Sequence, residues 1–119
     1  MESILIVDDD VNICSLLSEE LSEAGYQTAY LHDSEKVLDY LKEKVTDILL
    51  LDLNMPGKNG FQIQKEIRDY PGIKPKVIVL TAHSDVKSAL TSAQLGVSDF
   101  ICKPCEFGRL LASIQKIVQ

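Results

Sequence analysis

Five short segments of this chain have the length and apolar content of β-strands, and four of them end on an ionisable or hydroxyl residue. Ile4-Leu5-Ile6-Val7 runs into Asp8-Asp9, Ile48-Leu49-Leu50-Leu51 into Asp52, Val77-Ile78-Val79-Leu80 into Thr81, and Phe100-Ile101-Cys102 into Lys103. Near-continuous apolar runs suit a parallel sheet covered on both faces, and such a sheet needs a crossover between strands. The intervening segments supply it. Val11, Cys14, Leu17, Leu21 and Ala24 recur at helical steps before Gly25. Asp33-Ser34 can cap a second helix carrying Val37, Leu38 and Leu41, and Ile63, Ile67 and Tyr70 mark a third before Pro71-Gly72. Ser84 or Asp85 can cap a fourth with a thin apolar face of Val86, Ala89, Leu90 and Ala93, ended by Gly96. Phe107, Leu110, Leu111, Ile114 and Val118 form the fifth and cleanest amphipathic pattern. The order strand-helix, five times over, predicts an α/β fold: a doubly wound (βα)5 sandwich around a five-stranded parallel sheet.

With 119 residues, 45% of them hydrophobic, the chain has material for one core, and a single domain over residues 1–119 is expected, with no output domain within it. The 18 acidic and 12 basic residues leave a net charge of -6, which opposes nucleic-acid backbones and anionic membranes. Direct DNA binding by this chain alone is therefore not expected. No apolar run reaches membrane-spanning length, and Met1-Glu2-Ser3 lacks the features of a signal peptide, so a cytoplasmic location is expected. Three cysteines, an odd number, agree with a reducing compartment.

In an open α/β sheet, ligands bind in the crevice outside the carboxyl ends of the strands. Asp8, Asp9 and Asp52 would meet there, and like charges at short range need a positive partner. Mg²⁺ answers that need: it prefers oxygen ligands and is bound by one or two carboxylates together with phosphate oxygens. A carboxylate beside it can act as a nucleophile toward phosphorus, giving an aspartyl-phosphate. Thr81 could hydrogen-bond one phosphoryl oxygen and Lys103 pair with another. Taken singly, each feature has a plainer reading. Asp8, Asp9 and Asp10 precede a helix, where acids cap; Asp52 ends a strand before the turn Asn54-Met55-Pro56-Gly57; Lys103-Pro104 suits a turn. Their conjunction at one sheet edge favours the site.

On these residues the chain resembles the receiver domains of bacterial two-component response regulators over essentially its whole length. The resemblance is carried by Asp8-Asp9, Asp52 followed by Met55-Pro56 and Gly60, Thr81-Ala82, Phe100 and Lys103-Pro104. It implies a flavodoxin-like sheet of order 2-1-3-4-5 and a phosphorylation-dependent signalling switch rather than an enzyme with a separate substrate. By the same resemblance Asp52 is the phosphoacceptor. Asp9, Asp52 and the backbone carbonyl of Asn54 ligate Mg²⁺, and Asp8 reaches it through water. Thr81 and Lys103 hold the phosphoryl group, and Thr81 and Phe100 form the switch pair. A cis Lys103-Pro104 bond is implied as well. The implied donor is a sensor histidine kinase or histidine phosphotransfer protein. The implied output surface is helix 4, strand 5 and helix 5, serving an output domain, a target protein or a phosphorylation-dependent homodimer. Asn54 and His83, two residues after Asp52 and Thr81, flank the path of water to the acyl phosphate; His32 has no evident partner.

Three other readings compete. Cys102-Lys103-Pro104-Cys105 is similar to a thioredoxin-type C-x-x-C, but it lies near the C-terminus rather than after an early strand, and Cys14 is too remote to complete a zinc site. A phosphohydrolase resembling the haloacid dehalogenase group would need an acid where Asn54 stands. Flavodoxin-like nucleotide binding would place phosphate against Asp8-Asp9-Asp10, which repel it.

Overall fold

β1 (Ser3–Val7), β2 (Gln27–Leu31), β3 (Ile48–Leu51), β4 (Lys76–Thr81) and β5 (Asp99–Cys102) form one parallel sheet in the order β2-β1-β3-β4-β5. The computed structural model describes residues 2–82 and 85–118. α1 (Val11–Glu23), α2 (Val37–Glu43), α3 (Gly60–Asp69), α4 (Val86–Gln94) and α5 (Phe107–Val118) make the connections, so the doubly wound arrangement expected from the apolar pattern is the one observed.

Alternation along the buried strands sorts the core into two layers, because successive side chains point to opposite faces. Ile4, Ile6, Ile48, Leu50, Ile78, Leu80 and Ile101 pack with Cys14 and Leu21 of α1 and Leu110 and Ile114 of α5. Leu5, Val7, Leu49, Leu51, Val77 and Val79 face the other way, against Val37 and Leu41 of α2 and Ile63 and Ile67 of α3.

The helix ends follow local chemistry. Asp10 is the N-cap of α1, accepting from the amides of Asn12 and Ile13, and Gly25 follows the C-cap Ala24 with φ 101°. Asn59 and Gln62 close a reciprocal capping box at α3. Asp33 accepts from Glu35 N and starts a short 3-10 turn, Ser34–Lys36, that leads into α2; Ser34 itself is buried. Of the two candidate caps for α4, Asp85 accepts from Ser88 N at 2.6 Å, and Ser84 lies outside the described residues.

α4 departs from the sequence reading. Val86, Leu90 and Ala93, expected on its inner face, are exposed, the first two at 75% and 59%, whereas Ser88 and Ser92 are buried. The reason is the neighbour: Gln64 of α3 is 2% exposed and donates from Nε2 to Ser92 Oγ at 3.4 Å, so small hydroxyl side chains occupy the seam. On α1, Val11 and Ala24 are likewise exposed, since they sit at the two ends of the helix beyond the layer formed by Cys14 and Leu21.

This packing makes a paired prediction. Leu110→Ala, which empties a fully buried position of α5, should cost about 2–5 kcal/mol, while Leu90→Ala on the outer face of α4 should stay within about 0.5 kcal/mol of wild type. Urea denaturation of the two variants checks it, and equal losses would place Leu90 in the core.

Candidate functional site at the carboxyl edge of the sheet

β1 and β3 are neighbours with Val7 opposite Leu51, so the residues that follow them, Asp8 and Asp52, leave the sheet side by side. The Asp52 amide continues the ladder, donating to the Val7 carbonyl at 3.0 Å. Asp8 and Asp52 are buried, at 4% and 8% exposure, and Asp9 is exposed. One carboxylate oxygen from each of the three lies within 4.8 Å of the others. This all-oxygen donor set suits a hard divalent cation such as Mg²⁺. Asp10, the fourth acid position considered, turns away to cap α1, and its own amide donates to Asp8 Oδ1 at 2.9 Å. The capping explanation thus belongs to Asp10 and not to Asp8 or Asp9.

β4 and β5 bring the complementary groups. Thr81, fully buried, donates its hydroxyl to Asp52 Oδ1 at 2.8 Å. The Lys103 amine lies 2.5 Å from Asp8 Oδ2 and 3.4 Å from Asp52 Oδ2. The Lys103-Pro104 bond is cis, as the resemblance implied. Burial pushes the Asp8 carboxyl above its ordinary range, against the lowering effect of the Lys103 hydrogen bond. Burial also works to lower the Lys103 amine, but the hydrogen bond and charge of Asp8 together with the charge of Asp52 outweigh it and hold the amine above its ordinary value. The ammonium therefore persists at neutral pH as the counter-charge of the acidic cluster.

The loop between β3 and α3 runs against this cluster. Asn54 donates its amide to Asp52 Oδ1 at 3.2 Å, and Met55 is buried. Gly60 N donates to Leu53 O at 3.0 Å, and a Cβ on Gly60 would fall 2.6 Å from Leu53 Cα, so only glycine permits this approach of α3 to the site. On the outer side of the loop, Ser34 Oγ donates to the Pro56 carbonyl at 3.1 Å, and Lys58 pairs with Glu66 at 2.9 Å and Glu35 at 3.8 Å. The sequence reading assigned Asp33-Ser34 to capping alone. The inward hydroxyl of Ser34 had no sequence signal beyond being a small polar residue at a helix start.

Of the remaining candidates, Phe100 is half-buried against the core layer of α2 and α3. His83 lies outside the described residues. His32 does have partners, contrary to the sequence reading: its Nδ1 is 3.3 Å from the Asp8 carbonyl oxygen, where it donates, and its ring is 5.2 Å from that of Tyr30. Cys14 is buried with its thiol 3.4 Å from the Asp8 carbonyl, and burial pushes it up to about 11. Burial raises the Cys105 thiol as well, the reverse of the lowered value that thiol redox chemistry needs. Cys105 and Lys103 instead border a groove of about 510 Å³ between α1 and the β5–α5 loop, floored by Ile13, Leu17 and Leu80.

Among the described residues no helix is long and apolar enough to cross a membrane. Residues 4–115 match the family model described as the response regulator receiver domain. The transcriptional regulatory protein CpxR of Escherichia coli K12 is 38% identical over 119 residues, covering 100% of this chain and 50% of that protein. The DNA-binding transcriptional regulator NtrC of Klebsiella pneumoniae is 35% identical over 113 residues, 95% of this chain and 24% of that protein. The chain thus spans about half the length of the first of these relatives and about a quarter of the second. Among solved structures, the response regulator TrrA of Thermotoga maritima, in complex with Mg²⁺-BeF, superposes with a TM-score of 0.87 at 35% identity, covering 98% of this chain and 99% of that one. With its five-stranded 2-1-3-4-5 sheet and the family match over nearly its full length, this chain belongs to the response regulator receiver domains, the signalling domains of two-component systems.

Proposed function

We propose that this domain is switched by transfer of a phosphoryl group to Asp52 from the phosphohistidine of a sensor kinase or phosphotransfer protein. The observation that carries the reading is the convergence of Thr81, Lys103 and Asp8 on the Asp52 carboxylate at the open edge of the sheet. An Asp52 oxygen attacks phosphorus while the donor's phosphohistidine carries a proton on its other ring nitrogen. The bond from phosphorus to the imidazole nitrogen breaks, that nitrogen keeps the electron pair, and the donor leaves as a neutral imidazole. Asp8, Asp9, Asp52 and the Asn54 carbonyl would hold Mg²⁺. Bound there, the ion supplies positive charge to the phosphoryl oxygens and to the acidic cluster. The Thr81 hydroxyl, already donating to Asp52, has only to pass to a phosphoryl oxygen, and the Lys103 ammonium has only to turn from Asp8 toward another. The apolar groove beside Lys103 opens next to these groups and would seat the donor's phosphohistidine-bearing helix.

Incubation with Mg²⁺ and acetyl phosphate should add one phosphoryl group to wild type and none to Asp52→Asn, read by intact-mass spectrometry. Chelating the metal, or Asp9→Ala, should suppress the addition. Equal labelling of Asp52→Asn would remove Asp52 from the reaction. Lys103→Met, which leaves the developing charge without its fixed cation, should slow the addition by roughly a hundredfold, followed by the same measurement over time.

The consequence of phosphorylation is assigned to α4. Its inner face carries Ser88 and Ser92 in place of large apolar groups, so it is held by weaker contacts than α5 and is the easiest element to reposition. Half-buried Phe100 would move further inward as Thr81 engages the phosphoryl group, remodelling the face formed by α4, β5 and α5. That face would contact an output domain, a target or a second copy. TrrA binds Mg²⁺-BeF, and the same mimic is the probe here. Amide NMR should show shifts extending from Asp52 through Phe100 to Val86–Gln94; changes confined to the surroundings of Asp52 would separate phosphorylation from that face.

A further inference from the structure

We infer that Ser34 is a positioning residue for the cation site: its buried hydroxyl pins the β3–α3 loop and thereby sets the affinity of the acidic cluster for Mg²⁺. This rests on the assignment of the Asn54 carbonyl to the metal. Ser34 is 1% exposed, and its hydroxyl donates to the carbonyl of Pro56, two residues beyond Asn54. A buried hydroxyl committed to one backbone carbonyl fixes that carbonyl's place, since losing the bond strands a desolvated acceptor.

Two further features tie the same short segment to the 3-10 turn before α2. Gly57 adopts φ 79°, and a Cβ there would sit 3.3 Å from both Ser34 Oγ and Glu35 Oε1. The missing side chain is what lets the loop lie against the turn. Lys58 then spans outward to Glu35 and to Glu66 of α3. The loop is thus held on its inner side by the Asn54 amide on Asp52 and by buried Met55, and on its outer side by Ser34. Without the Ser34 bond, the outer side keeps only the Lys58 ion pairs, and the segment from Asn54 to Pro56, fixed at one end by the Asn54 amide on Asp52, orients its carbonyls less firmly. Ligands of a metal lose affinity when the groups that orient them are removed.

The prediction concerns metal binding before phosphorylation. Mg²⁺ titrated into the phosphate-free protein, followed by amide NMR and by calorimetry, gives a dissociation constant for wild type, Ser34→Ala, Ser34→Gly and Asp52→Asn. Both Ser34 variants remove the hydroxyl, alanine keeping the Cβ already present and glycine removing it as well; a thermal melt identifies which are folded. In the folded variants the dissociation constant should rise roughly tenfold. The Mg²⁺ concentration that half-saturates acetyl phosphate labelling should rise by the same factor, with a smaller change in the rate at saturating Mg²⁺. Wild-type affinity in either folded variant would overturn the inference, as would a fall in the saturated rate with the dissociation constant unchanged. Wild-type binding that Asp52→Asn leaves intact would instead overturn the underlying placement of the metal, a result distinct from either.

Discussion

The mutual repulsion of Asp8 and Asp52 is the constraint around which this domain is arranged. Two carboxylates with at most 8% exposure sit at adjacent strand ends, close to the exposed Asp9, and burial makes their repulsion stronger than it would be in water. The strands beneath them supply the force that keeps them together. Val7 and Leu51 are paired in register and essentially inaccessible to solvent, so separating the acids would require breaking the centre of the sheet. The counter-charge comes from Lys103, 95 residues along the chain from Asp8. Only the completed sheet brings that amine to the acids, which makes the local chemistry a property of the whole fold.

The helices are seated on the sheet with different strengths. α5 buries Leu110 and Ile114 and α1 buries Leu21, each worth about 1.5–3 kcal/mol of apolar burial. α4 offers Ser88 and Ser92, of which Ser92 accepts from Gln64 Nε2 at a long 3.4 Å, and Gln64 Oε1 is buried with no hydrogen-bond partner among the described residues. A net hydrogen bond contributes only about 0.5–1.5 kcal/mol. The firm layer therefore anchors the edge that carries Lys103, and the weak seam lies beside β5 and Phe100.

How much of this was legible in the sequence depended on whether a feature was encoded in residue type or in packing phase. Strands read plainly because Ile4 to Val7 and Ile48 to Leu51 are apolar throughout, and the acids, Thr81 and Lys103 stood out as polar endings to such runs. The inner face of α4 did not. Val86, Leu90 and Ala93 mimic an amphipathic stripe, yet α4 turns Ser88 and Ser92 inward, with Ser92 against buried Gln64. Pattern reading ranks serine below valine for burial, and it cannot know that the facing residue is a buried amide. Ser34 was hidden for a related reason: a small polar residue beside Asp33 is what a helix cap looks like, and its turn toward Pro56 depends on a loop 22 residues away. His32 was similarly opaque, because its partner is a backbone carbonyl.

Strong electrostatics beside a weak helix is what a phosphorylation switch requires energetically. A phosphoryl group adds roughly 1.5 to 2 negative charges and three acceptor oxygens at one point, and it shifts a conformational equilibrium only by the difference in its contacts between the two states. Thr81 already bonds to Asp52 before any phosphoryl group arrives, so that difference comes from redirecting bonds rather than creating a new enclosure. The free energy available is accordingly that of a few hydrogen bonds and one ion pair. Such a sum is too small to unseat a helix held by Leu110 and Ile114, but it is commensurate with a seam made of Gln64, Ser88 and Ser92. In the switch proposed above, the buried serines of α4 keep its seat weak enough for a gain of that size to move it.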